Sequence, residues 1–229
     1  VSMLRDFTLR ARDLIVEIRH VRKYDPYLLG LNGVIHIGAN SGQERAYYQA
    51  AGLEVLWVEP IPDVFEKLVS NIHRYPRQRA LSYLLSDVDG KTYELNIANN
   101  DAQSSSIFDL SLHAELWPEV QYVDRISLRS TRFDTMVDTE HIDLDRYEAL
   151  ILDTQGAELL ILQGAGDLLS NFRFIKTEAA DFEIYAGGAH LGDLIKHLAG
   201  FGFSELGRWK FADGPPEGSG CYDVIFERR

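Results

Sequence analysis

Residues 34–60 constrain the fold more than any other stretch of the chain. An apolar strand, Val34-Ile35-His36-Ile37, runs into the loop Gly38-Ala39-Asn40-Ser41-Gly42; a helical stretch follows, and a second apolar strand, Val55-Leu56-Trp57-Val58, ends on Glu59. Glu59 lies 21 residues beyond Gly38, and this order and spacing are those of a nucleoside-binding βαβ unit. Glycines at 38 and 42 let backbone approach a ligand where a Cβ would collide, and one of them supplies the positive φ of the turn. Ser41 followed by Glu44 reads as a capping box, so that free N–H groups and the positive helix end face the loop. Glu59 is placed to accept two hydrogen bonds from a ribose diol, each worth roughly 1.5–3 kcal/mol when charge-assisted.

The loop is Gly-x-Asn-x-Gly and lacks the Gly-x-Gly-x-x-Gly of dinucleotide sites. A pyrophosphate needs the extra glycine; an amino-acid tail joined to adenosine does not. The pattern therefore favours S-adenosylmethionine over NAD. An NAD-type oxidoreductase is the alternative enzyme class, and a catalytically silent domain that binds a cofactor or partner is the non-enzymatic alternative.

With 229 residues, 45% of them apolar, the chain can bury one substantial core and is short for two. It has no run of about 18 apolar residues to span a membrane and no signal-peptide pattern at its start. Its single cysteine, Cys221, has no internal disulfide partner and reads as a buried structural thiol, so a cytoplasmic protein is expected. A net charge of −12 argues against nucleic acid, whose phosphates require clustered Lys and Arg. Residues 1–23 differ, with six basic and three acidic side chains. Leu4, Phe7, Leu14, Ile15, Ile18 and Val21 give them an apolar stripe. We expect an N-terminal helical extension over residues 1–31, packed on the domain or on a second protomer of a homodimer, ahead of a catalytic domain over 32–229.

Further on, strand and helix patterns alternate. Asp63 with Glu66 repeats the cap pattern ahead of a helix marked by Val64, Phe65, Leu68, Val69 and Ile72. A third strand runs from Ala80 to Leu85, ended by Ser86-Asp87, with Tyr93 to Ile97 as its hairpin partner. Residues 99–137 depart from the alternation, and their polar and aromatic runs are candidates for substrate contacts, with a strand near Ile126 to Leu128. Then come a strand at Tyr147–Leu152, a helix from Ala157 to Leu169 and a strand at Phe174–Thr177. A helix over Leu191–Ala199 with Gly200 as its C′ glycine and strands at Phe203–Arg208 and Tyr222–Glu227 close the chain. This order predicts an α/β fold: a doubly wound, mostly parallel sheet of seven strands, helices on both faces, and ligands at the carboxyl ends of the strands.

Four segments, Ile35 to Gly42, Trp57 to Pro60, Leu81 to Asp87 and Leu150 to Leu159, together resemble the FkbM methyltransferases over about residues 32–226. The resemblance implies a Rossmann-like class I S-adenosylmethionine-dependent enzyme, in most members an O-methyltransferase of sugars and natural products. It implies that Gly38, Asn40, Ser41 and Gly42 hold the methionine part of the cofactor, Glu59 the ribose, and Ser86 and Asp87 the adenine edge. Asp153, Gly156 and Glu158 then match a second motif at the floor of the reaction site. His36 stands where the family often has Asp, and a neutral imidazole there weakens the hold on the cofactor ammonium. Gln155 stands where an acid is frequent.

Methyl transfer to a hydroxyl requires in-line alignment, which supplies several kcal/mol, and a proton acceptor, which contributes about 10²–10⁴-fold. Asp153 and Glu178, at the ends of adjacent central strands, are the candidate catalytic acids, with His190 as an alternative proton acceptor. Asp153, Glu178 and Asp181 also offer oxygen ligands for Mg²⁺, a candidate cofactor by analogy with other class I O-methyltransferases. Trp117, Tyr122, Tyr185 and Trp209 are candidates to stack on a small-molecule or carbohydrate acceptor.

Overall fold

The computed structural model describes residues 25–215 and 217–229. The apolar stripe expected over residues 4–21 lies outside them, and of the N-terminal extension only a short 3-10 turn, Pro26–Leu28, is described. The elements that follow are β1 (Gly33–Ile37), α1 (Arg45–Ala51), β2 (Glu54–Val58), α2 (Pro62–Ile72), β3 (Gln78–Leu81), β4 (Leu84–Ser86) and β5 (Thr92–Ala98). Then come α3 (His113–Leu116), β6 (Tyr122–Arg132), α4 (Phe133–Thr139), β7 (Ala149–Leu152), α5 (Glu158–Ala165), β8 (Phe174–Ala180), α6 (Leu191–Ala199), β9 (Phe203–Asp213) and β10 (Gly220–Arg228).

Seven strands form the main sheet in the order β3-β2-β1-β7-β8-β10-β9. β10 runs antiparallel to both neighbours, and the pairs from β3 to β8 are parallel. Every residue of β1 and β7 is buried, as expected of central parallel strands covered on both faces. One face (Ile35, Leu56, Leu150, Ile175, Val224) packs on α4, α5 and α6 through Met136, Ile161 and Leu194. The other (Val34, Trp57, Ala149, Ile151) packs on Tyr48 of α1 and Leu68 of α2. The strand order reverses between β1 and β7, so a crevice opens beyond their carboxyl ends. No helix among the described residues is long and apolar enough to cross a membrane.

Several local expectations are corrected. The strand expected at Ala80–Leu85 is two: β3 ends at Leu81, and β4 leaves to pair with β6 in a separate sheet of order β4-β6-β5. β5 pairs antiparallel with β6 rather than with the strand before it, and this seats Leu95 beside Ile61 and Val64 of the α2 region. The helix from Ala157 breaks at Gly166, whose φ of +52° ends the α-helical turns; a 3-10 stretch continues to Asn171. Gly200 keeps right-handed helical geometry, and Gly202 takes the positive φ.

The capping boxes also fail. α1 starts at Arg45, with Glu44 at its N-cap making no side-chain cap bond, so Ser41 caps nothing. α2 starts with Pro62 at its first position, where a missing N–H costs nothing. The cap position is Ile61 and not Asp63, and its N–H donates to Glu59 Oε1 at 2.9 Å.

Gly38 has φ +82°, and a Cβ there would lie 1.7 Å from the Asp153 carbonyl oxygen, so the first loop can cross β7 only as glycine. Gly52 has a similar φ of +77°, but a Cβ there would meet no atom within 4 Å. Urea unfolding is expected to separate the two. Gly52→Ala should cost about 1 kcal/mol of left-handed strain, whereas Gly38→Ala should cost more than about 4 kcal/mol or prevent folding.

Candidate active site

The crevice is a cleft of about 600 Å³, within the range of small-molecule sites. The half at the carboxyl ends of β1 and β2 is built around Glu59. This carboxylate is only 4% exposed. Its Oε2 accepts the Asn40 N–H at 2.8 Å while its Oε1 accepts that of Ile61. Asn40 holds a left-handed φ of +44°, and its own Oδ1 accepts the Ser41 N–H at 2.7 Å. Glu59 thus joins the loop after β1 to the start of α2. A carboxylate has about four acceptor sites, and two remain for a ligand. Burial pushes the Glu59 carboxyl up to about 7, against the pull of its two backbone bonds.

His36 lines the same half. Its ring stacks on Trp57 at 5.0 Å, and Nδ1 lies 3.0 Å from the Tyr48 hydroxyl. Burial drives its pKa down to about 3, which leaves the imidazole neutral.

The floor comes from the loop after β7, where Gln155 and Gly156 have φ of +54° and +100°. Glu158, buried, accepts the Thr154 N–H and hydroxyl at 2.9 and 3.0 Å and the Gly156 N–H at 3.0 Å. It is thereby committed to shaping the loop. Gln155 donates to Asp153 Oδ1 at 2.6 Å and accepts from the Tyr185 hydroxyl. Burial pushes Asp153 up to about 6. Burial, followed by the nearby Asp153 charge, pushes Glu178 up to about 9. A smaller cavity of about 110 Å³ lies against His36, Glu44, Asp153 and Glu178, and Lys176 there pairs with Asp25 and Asp223 at 3.3 and 3.5 Å.

Of the residues singled out in the sequence, His36, Gly38, Asn40, Glu59, Asp153 and Glu178 border the cleft together. Ser41, Gly42, Ser86, Asp87 and His190 do not. Gly42 is glycine for its φ of +70° and for packing, since a Cβ there would meet Leu68 Cδ1 at 2.7 Å. Ser86 is sealed: its hydroxyl donates to Asp87 and meets the Tyr93 hydroxyl, and its carbonyl lies against Gly164 of α5. Tyr83, Leu84 and Leu85 line the cleft in place of Ser86 and Asp87.

His190 occupies the N-cap of α6, where its N–H donates to Asp193 at 3.2 Å. Asp181 points its carboxylate at the Gly220 N–H and the Tyr222 hydroxyl, away from Asp153 and Glu178. Among the described residues no three His, Cys, Asp or Glu side chains are placed to hold a metal ion, so the expected Mg²⁺ set does not fit.

Trp117 and Tyr185 line the cleft. Tyr122 instead donates its hydroxyl to the Phe108 carbonyl at 2.8 Å, and Trp209 is 53% exposed outside the cleft. The sequence reading missed His113, Ser104, Glu119 and Phe211, all of which border it. Ser104, His113 and Glu119 lie in the irregular insertion, whose polar and aromatic runs were candidates only as a stretch, and Phe211 lies on β9, where no sequence signal marked it. Cys221 is buried in β10, and burial pushes its thiol up to about 11.

A family model described as the methyltransferase FkbM domain matches residues 36–205. The chain belongs to the FkbM methyltransferase family. It is a methyltransferase dependent on S-adenosylmethionine, with the Rossmann-like class I fold. The 2-O-methyltransferase NoeI of Sinorhizobium fredii (strain NBRC 101917 / NGR234) is 27% identical over 176 residues, covering 73% of this chain and 71% of NoeI. Among solved structures, the magnesium protoporphyrin IX methyltransferase ChlM of Synechocystis PCC 6803 with bound SAH has 14% identity and a TM-score of 0.49, covering 96% of this chain and 83% of its own. A TehB-like SAM-dependent methyltransferase of Corynebacterium glutamicum ATCC 13032 Kitasato has 12% identity and a TM-score of 0.47, covering 100% of this chain and 99% of its own.

Asp153, Glu59 and Glu178 hold their protons to about 6, 7 and 9, above the ordinary 3.8 and 4.5 of an unfolded chain. The unfolded state therefore binds fewer protons through that window, and the stability of the ligand-free protein falls as pH rises through it. Glu178→Gln, which has no proton to lose, should raise the melting temperature near about pH 8 and change it much less near about pH 4, below the unfolded carboxyl's value. Thermal scans of both proteins across that range test this.

Proposed function

We propose that this methyltransferase transfers the methyl group of S-adenosylmethionine to a hydroxyl oxygen of a sugar or other glycosidic small molecule. The observation that carries the reading is the match to a 2-O-methyltransferase over 73% of the chain. The cleft supports it. Trp117, Tyr185 and Phe211 border it as aromatic surfaces of the kind that pack on sugar rings, with Ser104 and His113 as polar groups among them. A chain of net charge −12 also makes a poor site for a polyanion.

In this reading the two free acceptor sites of Glu59 take the ribose diol. Gly38 to Asn40 border the methionine part, and Tyr83, Leu84 and Leu85 form the adenine edge in place of Ser86 and Asp87. When bound, the cofactor supplies a methyl group already activated by the sulfonium charge. Asp153, ionised above about pH 6, offsets positive charge at the floor, while Glu178, which holds its proton to about 9, and neutral His36 contribute shape and hydrogen-bonding groups. The protein's remaining tasks are to align the acceptor oxygen and to receive its proton.

Calorimetry should find that Glu59→Ala weakens S-adenosylmethionine binding about 10–100-fold, the loss of one charge-assisted hydrogen bond or more. Incubation with methyl-labelled cofactor and a panel of methyl glycosides, phenols and amines tests the acceptor class. Label is expected in a glycoside; label confined to amines overturns the reading.

A further inference from the structure

We propose that His113 is a catalytic residue of this enzyme, the base that takes the proton of the acceptor hydroxyl. The inference rests on the methyl-transfer reading above and supplies the group which that reading leaves unassigned. His113 opens α3, inside the insertion between β5 and β6. The insertion is latched to the segment after β8. The N–H groups of Ser111 and His113 donate to the Ile184 carbonyl at 3.2 and 3.1 Å, and Leu110 bridges Tyr185.

The latch brings the imidazole against Tyr185 and Trp117, with ring centroids at 5.3 and 4.8 Å. Leu112, Leu116 and Trp117 beside it pack on Ala180 of β8 and Cys221 of β10. The ring therefore borders the half of the cleft over β8 and β10, whereas the nucleoside carboxylate Glu59 stands at the end of β2.

His113 is 4% exposed, and its Nδ1 is buried with no hydrogen-bond partner among the described residues. A buried polar atom left unpaired costs about 1–3 kcal/mol, and an acceptor hydroxyl seated against the ring removes that cost once the ring turns to meet it. Tyr27 and His197 also carry an unpaired buried polar atom, but neither borders the main cleft.

The other candidates for the proton are poorly placed or already occupied. Asp153 accepts from Gln155, His190 caps α6 outside the cleft, and Glu178 keeps its own proton up to about 9. Burial lowers the pKa of His113, so the ring is neutral and able to accept a proton; the opposing charge is Glu119 on the same insertion. Facing the cleft from the other elements are Asp153 after β7, Glu178 on β8, Tyr185 after β8 and Cys221 on β10.

The step balances. The acceptor oxygen forms its bond to the methyl carbon as the S–CH₃ bond breaks with its electron pair remaining on sulfur. The hydroxyl proton moves to His113, and the imidazolium so formed is offset by Glu119 until its proton is lost to solvent.

Two measurements test the assignment, both using the panel member that takes most label. In kinetics, His113→Gln should lose about 10²–10⁴-fold in kcat and the acid limb of the kcat/KM pH profile, with S-adenosylmethionine affinity unchanged. A folded His113→Gln protein that keeps wild-type turnover and pH profile overturns the proposal. The second measurement needs no variant and no turnover: the ¹⁵N imidazole shifts of His113 in the wild-type complex with S-adenosylhomocysteine should move when the acceptor is added. Unmoved shifts under saturation overturn it. Label in a phenol sinks the sugar reading alone, because His113 is then tested on that hydroxyl; label confined to amines, or in nothing, ends both.

Discussion

Both oxygens of Glu59 are occupied by backbone N–H groups from two different connections, and this one carboxylate fixes the shape of the nucleoside half. Asn40 belongs to the turn after β1, and Ile61 to the entry of α2. The left-handed Asn40 costs strain, and the bond it makes to Glu59 offsets that cost. Glu158 repeats the device on the other side of the switch point. It gathers the N–H groups of Thr154 and Gly156, where two successive residues carry positive φ. A doubly wound sheet leaves its crevice between two such loops, and here each loop is closed on itself by a buried carboxylate rather than by a helix cap.

That construction explains why acidic side chains collect at the crevice with so little cation beside them. Glu59 and Glu158 serve the backbone; Asp153 is held by Gln155; and Lys176, the cation that lines the smaller cavity, is already paired with Asp25 and Asp223. Burial then raises the carboxyl pKa values, and Glu178 rises furthest among Asp153, Glu59 and Glu178 because no hydrogen bond offsets its burial and the Asp153 charge, whereas Gln155 offsets it at Asp153 and backbone N–H groups at Glu59. A ligand bearing a sulfonium and an ammonium meets a floor short of positive charge, whereas a neutral thioether product lacks the sulfonium half of that attraction. On the proposed reading, the stability sacrificed in the empty protein and the attraction of a cationic donor have one physical origin.

Local signals were legible in the sequence and non-local choices were not. β1, β2 and β7 are buried strands whose apolar runs announce themselves, and the 21-residue separation of Gly38 from Glu59 does not depend on where the intervening helix begins or ends. The glycines were legible as glycines but not in their reasons: Gly38 yields to the Asp153 carbonyl and Gly42 to Leu68, so crossing chain, not ligand, demands them. Ser86 and Asp87 were misplaced because β4 pairs with β6, a partner more than forty residues away. Ser41 looked like a cap because its motif is right, yet the helix starts at Arg45. His113 left no local trace, since its position depends on main-chain bonds to residue 184 and on two aromatic neighbours from separate segments.

These differences divide the molecule by how each half of the cleft is held. The donor half rests on carboxylate-to-backbone bonds at the ends of central strands, where a change of side chain elsewhere alters little. The acceptor half rests on an irregular segment whose tie to residues 183–186 is a handful of backbone bonds and one isolated bridge. Side chains such as His113, Trp117 and Glu119 project from that segment, so they can vary without disturbing Glu59 or Glu158. On the proposed reading, a fold arranged in this way keeps its donor site fixed while the insertion is free to vary with the acceptor, which is why the family is legible in residues 35–60 and 150–159 and the acceptor is not.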